Sequence, residues 1–153
     1  MFNRTDSARL REEFWATFGR YMNPVPSSEG EKINWINYRT GFKDIRFRMD
    51  ADHHSAIISI SLEHTDEDVR ELYFQQFEET KKILHKTLQE EWEWTGNVGV
   101  GEKEIYSRIY KELTGFSVFN KEHWPELISF FKPRIIALDQ YWESTRYSFE
   151  ALR

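Results

Sequence analysis

Two short segments of alternating residues on either side of a four-residue turn constrain the fold of this chain most. The apolar members of the alternation are Ile45, Phe47, Met49, Ile58, Ile60 and Leu62. The polar members between them are Arg46, Arg48, Asp50, Ser59, Ser61 and Glu63. Successive side chains of a β-strand point to opposite faces, so a period of two predicts two strands that each bury one side. Because residues 52–55 (Asp-His-His-Ser) separate the segments, the pattern predicts a β-hairpin.

A hairpin with His53 and His54 at its tip fixes the pairing of the two strands. The predicted core-side pairs are Met49 with Ile58, Phe47 with Ile60, and Ile45 with Leu62. The predicted pairs on the other face are Arg48 with Ser59 and Arg46 with Ser61. A shift of one residue would turn every apolar side chain to the wrong face, so the pattern specifies this register strongly.

Three helices and a second hairpin complete the predicted architecture. Apolar residues at helical spacing predict helices over residues 6–22, 66–90 and 120–150. A less regular alternation predicts strands over 91–94 and 104–113, joined by a turn that contains Asn97, Gly99 and Gly101. The order helix, hairpin, helix, hairpin, helix predicts an α+β fold, in which a four-stranded antiparallel sheet built from two β-hairpins carries three helices mainly on one face.

Length and cysteine content limit the classes of protein to consider. The chain has 153 residues and no cysteine, which excludes disulfides, cysteine-ligated metals and a thiol nucleophile. We expect a single domain over residues 1–153. The chain has no apolar run of the ~20 residues that a membrane span needs, and its first ten residues lack the apolar core of a secretion signal. These features predict a cytoplasmic protein without a membrane partner.

Charge is distributed unevenly along the chain. The formal net charge is −5. Residues 1–48 have nine Lys and Arg against six Asp and Glu, whereas residues 49–105 have five against fourteen. An acidic chain is a poor general binder of DNA or RNA, so any nucleic-acid contact is expected to use a local basic patch in the first third.

Several short motifs follow one another in a characteristic order. They are Phe14-Trp15, Asn34-Trp35-Ile36, the hairpin with Ala56-Ile57-Ile58-Ser59-Ile60, Phe77-Glu78-Glu79-Thr80-Lys81-Lys82-Ile83, Glu93-Trp94, Ser107-Arg108-Ile109 and His123-Trp124-Pro125-Glu126. In this order and spacing, from about residue 10 to residue 152, the chain resembles the bacterial family known as domain of unknown function 4268. The resemblance implies a domain that occurs alone or fused to nuclease or restriction-like proteins. It assigns no catalytic residues.

A basic and aromatic group is the principal candidate for a binding site. Its members are Trp35, Tyr38, Arg39, Lys43, Arg46 and Arg48. Guanidinium groups suit phosphates, and aromatic rings stack on bases, so this group indicates nucleic-acid or anion binding. The alternative is a solvated sheet face whose arginines pair with the acidic middle segment.

A metal-dependent hydrolase is a weaker alternative. Asp50, Asp52, His53, His54 and Glu63 are all metal-ligand types. Yet the predicted hairpin places Glu63 about 20 Å from the tip, because a strand rises ~3.3 Å per residue. We therefore predict no catalytic residues, no metal site and no cofactor.

Aromatic content favours an interaction role. The chain has 6 Trp, 7 Tyr and 12 Phe, which indicates an aromatic core and allows some rings to be surface anchors. Trp92, Trp94, Trp124 and Trp142 lie on predicted apolar stripes, which favours the core for these four. The preferred hypothesis is a non-catalytic interaction or accessory module that binds a protein, either another chain or its own copy. Nucleic-acid binding is the first alternative.

Overall fold

The computed structural model of the protein describes residues 4–99 and 105–152. Its elements in chain order are α1 (Arg4–Met22), β1 (Ile45–Ala51), β2 (Ser55–Leu62), α2 (Glu67–Glu79), α3 (Lys81–Leu88), β3 (Glu93–Gly99), β4 (Ile105–Thr114) and α4 (Trp124–Thr145). Short 3-10 helices, Lys121–His123 and Arg146–Leu152, flank α4. This order agrees with the α+β class predicted from the sequence.

The four strands form one antiparallel sheet in the order β1-β2-β4-β3. The register of β1 on β2 confirms all five predicted pairs, including Phe47 with Ile60 and Arg48 with Ser59. The turn residue Asp52 closes the hairpin, because its backbone N–H donates to the carbonyl oxygen of Ser55 at 2.9 Å. Strands β2 and β4 lie in the centre, and the ladder between them brings Ile60 opposite Ile109.

The segment predicted as one long helix over 66–90 is two helices, so the described chain has four α-helices rather than the predicted three. The break lies at Thr80, whose backbone leaves helical geometry at φ −106° and ψ 16°. Its hydroxyl lies 2.7 Å from the hydroxyl of Tyr141 on α4. The Thr80 hydroxyl also donates to the carbonyl oxygen of Phe77 at 3.3 Å, as does the Thr80 backbone N–H at 3.1 Å. A side-chain hydrogen bond to the backbone competes with the regular helix ladder, which is the physical reason for the break.

The second hairpin also differs from the prediction. Strand β3 continues through Asn97 to Gly99, where the sequence predicted a turn, and Gly101 lies outside the described residues. A bulge between Thr95 and Val98 takes Asn97 into the left-handed region at φ 52°. The Asn97 amide then accepts from Arg70 at 3.1 Å and donates to Glu67 at 3.2 Å, which fixes the bulge to the start of α2.

Aromatic side chains fill the core between the sheet and the helices. Trp142 is 1% exposed, and its ring contacts Phe42, Phe47, Phe77 and Phe149 at centroid distances of 5.1–5.9 Å. Trp92 and Trp124 are buried and Trp94 is half-buried, so the predicted core role of the four tryptophans is confirmed. Within the described residues, none of the helices combines the length and the hydropathy that crossing a membrane requires.

Candidate binding surface on the open face of the sheet

The face of the sheet opposite the aromatic core, here called the open face, is largely polar. Strand alternation and pairing give it Arg46, Arg48, Asp50, Ile57, Ser59, Ser61, Glu93, Thr95, Tyr106, Arg108, Tyr110 and Glu112. Arg46, Arg48, Asp50, Glu93 and Glu112 are exposed. Toward the start of α2 the surface forms a concave region of about 790 Å³, the open-face groove, with the buried Ser59 and Ser61 among its lining residues.

Glu63 holds the two predicted arginines of β1 at one side of the groove. Both carboxylate oxygens of Glu63 accept hydrogen bonds from Arg48, one from Nε and one from Nη2 at 2.8 Å. The Nε atom of Arg46 lies 3.8 Å from the same carboxylate. Burial alone would raise the pKa of Glu63, but hydrogen bonds from Arg48 and Ser61 outweigh it and hold the pKa below its ordinary value. The predicted pairing of these arginines with the acidic middle segment is therefore present.

This ion pair gives a testable pH dependence. A carboxyl whose pKa is lowered by folding stabilises the protein above its unfolded pKa of about 4.3, and this stabilisation is lost as the pH falls. We expect Arg48→Ala to lower the free energy of unfolding at pH 7 by up to about 1 kcal/mol, because Arg48 is half-exposed. The effect should become smaller as the pH falls below the unfolded pKa, as measured by urea denaturation at pH 7 and at about pH 3. Arg46→Ala, which removes only the longer contact, is the matched control and should have a smaller effect.

Residues of β4 contribute the side chains that sequence reasoning missed. Arg108 lies opposite Ser61 of β2 and Thr95 of β3, near the middle of the open face. Its guanidinium carbon lies 3.9 Å from the ring centroid of Tyr110, two residues along the same face. From α2, Arg70 also lines the groove while being 4% exposed. The period-two spacing of Tyr106, Arg108 and Tyr110 could have indicated from the sequence that these three side chains share one face of the strand.

Trp35 and Tyr38, by contrast, lie on the core side of β1. Trp35 is buried, and its indole N–H donates to the carbonyl oxygen of Val25 at 2.9 Å. The ring of Tyr38 stacks on Phe47 at 5.0 Å, and Phe47 faces the core. Since Phe47 and its neighbours Arg46 and Arg48 point to opposite sides of the strand, the predicted aromatic and basic residues do not form one patch.

The Tyr38 hydroxyl belongs to a partly buried pair of hydrogen bonds to Asp139, here called the Asp139 clasp. The hydroxyl donates to Asp139 Oδ1 at 2.6 Å, and the backbone N–H of Ser28 donates to Oδ2 at 2.7 Å. Burial, followed by the hydrogen bond to Asp139, raises the pKa of Tyr38 far above its ordinary value. Tyr38 therefore stays protonated and holds the loop between α1 and β1 against α4.

Arg39 and Lys43 are exposed on that same loop. Arg39 borders a second cavity of about 430 Å³, which Tyr38, Asp139 and Arg146 also line. Of the six predicted site residues, the structure thus brings Arg46 and Arg48 together on the open face. The other four, Trp35, Tyr38, Arg39 and Lys43, lie on the loop between α1 and β1.

The acids and histidines near the hairpin serve local structure. Asp52 accepts backbone N–H groups of His54 at 3.0 Å and Ser55 at 3.1 Å. The hydrogen bond from His54 is the main cause that lowers the pKa of Asp52. Glu63 directly follows the last residue of β2, and both of its carboxylate oxygens accept hydrogen bonds from Arg48. Over residues 4–99 and 105–152, no group of three Asp, Glu or His side chains is placed to hold a metal ion.

Comparison with known proteins supports the resemblance noted in the sequence. A model of the family described as "Domain of unknown function (DUF4268)" matches residues 10–146. Neither the curated proteins nor the solved structures give a match. The matched region includes every strand of the sheet and all of α4, so the family model and the fold cover the same unit. The chain therefore belongs to the family described as domain of unknown function DUF4268.

Proposed function

We propose that this chain is a non-catalytic interaction module that binds a protein partner on the open face of its sheet. The observation that carries the proposal is the division of the sheet into two faces. One face is filled by the aromatic core, while the other presents exposed charged residues around a groove of about 790 Å³. In the described part of the chain, this groove is the larger of the two cavities discussed above.

The side chains of the open face are of the types that protein interfaces use. Arginine and tyrosine are enriched at interfaces and at their energetic hot spots. Arg108 and Tyr110 lie side by side on β4, and Ile57 and Ile105 add apolar surface to the groove. The mixture of apolar, aromatic and paired charged groups suits a protein segment better than a polyanion.

The carboxylates of the groove support a binding role over a catalytic one. Glu63 is held ionised by Arg48, and its lowered pKa is unsuited to proton donation near neutral pH. Glu67 accepts a hydrogen bond from the Asn97 amide. The resemblance stated above adds the expectation that the module acts beside nuclease or restriction-type systems. The cysteine-free composition is compatible with action in the cytoplasm.

Site-specific photo-crosslinking tests this proposal. A photoreactive amino acid is placed at Ile57 or Thr95 on the open face. In matched controls it replaces Leu72 or Ile83, which are 50% and 48% exposed on α2 and α3. We expect a discrete protein adduct from the open-face positions in cells that make this chain. The added substitution Arg108→Glu should remove that adduct. Adducts only from Leu72 and Ile83 would refute the proposal.

Nucleic-acid binding through Arg46 and Arg48 is the competing function, and it makes a different prediction. Because Glu63 already neutralises part of this charge, we expect the double variant Arg46→Glu, Arg48→Glu to leave affinity for DNA and RNA within about twofold of wild type. Filter binding at low and high salt measures this. A wild-type affinity that falls steeply with salt and is abolished in the double variant would establish nucleic-acid binding instead.

A further inference from the structure

We infer that the open face recognises a carboxylate group of an acidic side chain in the partner, and that Arg108 is the residue that binds it. The inference rests on the proposed protein-binding function and names the chemistry of the partner. The reason is that the four arginines on and beside the open face differ in whether a protein group accepts hydrogen bonds from their guanidinium groups.

Three of the four guanidinium groups already have partners. Arg48 donates two hydrogen bonds to the Glu63 carboxylate, and Arg46 lies near the same carboxylate. Arg70 is buried at the start of α2, where it donates to the carbonyl oxygens of His64 and Thr65 at 2.8 and 3.2 Å. Arg48 and Arg70 hold the rim and the end of the groove in place, whereas Arg46 makes only the longer contact with Glu63 at 3.8 Å.

Arg108 is held in position without an acceptor. Its guanidinium stacks on Tyr110, and such cation–π contacts fix the plane of the group. Within residues 4–99 and 105–152, no side chain or carbonyl accepts a hydrogen bond from it, and its Nε is buried and unsatisfied. The Nη1 and Nη2 groups of Arg108 keep contact with solvent, so an acceptor bound in the groove can reach them. The planar fork matches a carboxylate, which can accept two parallel hydrogen bonds.

The surrounding charges favour a carboxylate over a phosphate. The groove is bordered by the carboxylates of Asp50, Glu63 and Glu67. A dianionic phosphate, or a nucleic-acid strand with repeated phosphates, would meet these three like charges at close range. A single carboxylate needs only the one guanidinium that is without an acceptor, and charge complementarity therefore selects an acidic protein side chain.

The walls of the groove indicate what accompanies the acidic residue. Ile57 is half-buried, Ile105 is 43% exposed and Tyr106 is half-buried, and all three line the groove. Apolar contacts on either side of a central arginine suit a segment in which Asp or Glu has apolar neighbours. Such neighbours would shield the guanidinium–carboxylate contact from water and strengthen it.

Titration with short peptides tests the inference directly. The probe is an acetylated and amidated pentapeptide, Val-Val-Glu-Val-Val, and its control has Gln in place of Glu. The readout is the side-chain Nε–H signal of Arg108 in a nitrogen-15 spectrum of the full chain. We expect the Glu peptide to shift this signal and to bind at least tenfold more tightly than the Gln peptide. Equal binding of the two peptides, or no binding of either, would overturn the inference.

Variants separate the specific contact from general charge. Arg108→Gln should weaken binding of the Glu peptide at least tenfold, and Arg108→Lys should not restore it, because lysine lacks the fork. Arg46→Gln removes an equal charge from the same face and should change affinity less than twofold. Equal losses in Arg108→Gln and Arg46→Gln would overturn the inference. Tighter binding of inorganic phosphate or of an oligothymidine than of the Glu peptide would overturn the choice of carboxylate.

Failure of this inference can be told from failure of the proposed function. If Arg108→Gln still gives the open-face photo-adduct in full yield, the interaction face stands and the Arg108 contact is wrong. If the open-face positions give no adduct at all, the proposed function fails as well.

Discussion

Replacing Trp142 with alanine is expected to lower the free energy of unfolding by about 4 kcal/mol, because removal of a large buried aromatic side chain loses its transfer energy and leaves a cavity. Trp142 is 1% exposed and contacts rings from the loop before β1, from β1, from α2 and from the C-terminal 3-10 helix. Its indole N–H also donates to the carbonyl oxygen of Thr40 at 2.7 Å. Few other positions join so many parts of the chain.

Urea denaturation followed by circular dichroism measures this loss. Trp142→Phe is the control, since it keeps an aromatic ring but removes the hydrogen bond to Thr40, and it should be less destabilising than alanine. A loss of less than about 1 kcal/mol for Trp142→Ala would show that Trp142 is not central to the core.

Asp139→Ala is expected to lower the free energy of unfolding by about 3 kcal/mol, since hydrogen bonds to charged groups contribute about 1.5 kcal/mol or more each and both donors would be left without their acceptor. The donors are the Tyr38 hydroxyl and the Ser28 backbone N–H. Because the clasp joins the loop between α1 and β1 to α4, we also expect that loop to become the first site of proteolytic cleavage.

A double-mutant cycle with Tyr38→Phe separates the contributions to the clasp. Tyr38→Phe alone should cost about 1.5 kcal/mol and should cost much less in the Asp139→Ala background. Limited proteolysis, read by mass spectrometry, locates the cleavage. Additive losses in the double variant would contradict a direct Tyr38–Asp139 contact.

The first hairpin could be predicted from the sequence because all of its information is local. The alternation over β1 and β2 and the turn at residues 52–55 lie within one short stretch, and together they allow one register. The second hairpin was less clear. The inward positions of β4 include Ser107 and Lys111 beside Ile109, so its alternation of apolar and polar residues is weak.

The parts that could not be predicted depend on partners distant in the sequence. The Thr80 hydroxyl at the helix break contacts the Tyr141 hydroxyl, and the partly buried Tyr38 donates to Asp139 on α4. With those partners unknown, an aromatic residue beside Arg39 is typical of an exposed binding patch. Arg108 was missed for the same reason, because its lack of an acceptor is visible only when the three strands around it are assembled.

Methyl-resolved NMR of the chain with its captured and purified protein partner tests the central claim most directly. Ile57 and Ile105 line the open-face groove, and Leu72 and Ile83 are exposed on α2 and α3. If the open face is the docking surface, the methyl signals of Ile57 and Ile105 shift on binding while those of Leu72 and Ile83 stay in place. Shifts confined to Leu72 and Ile83 would contradict the account.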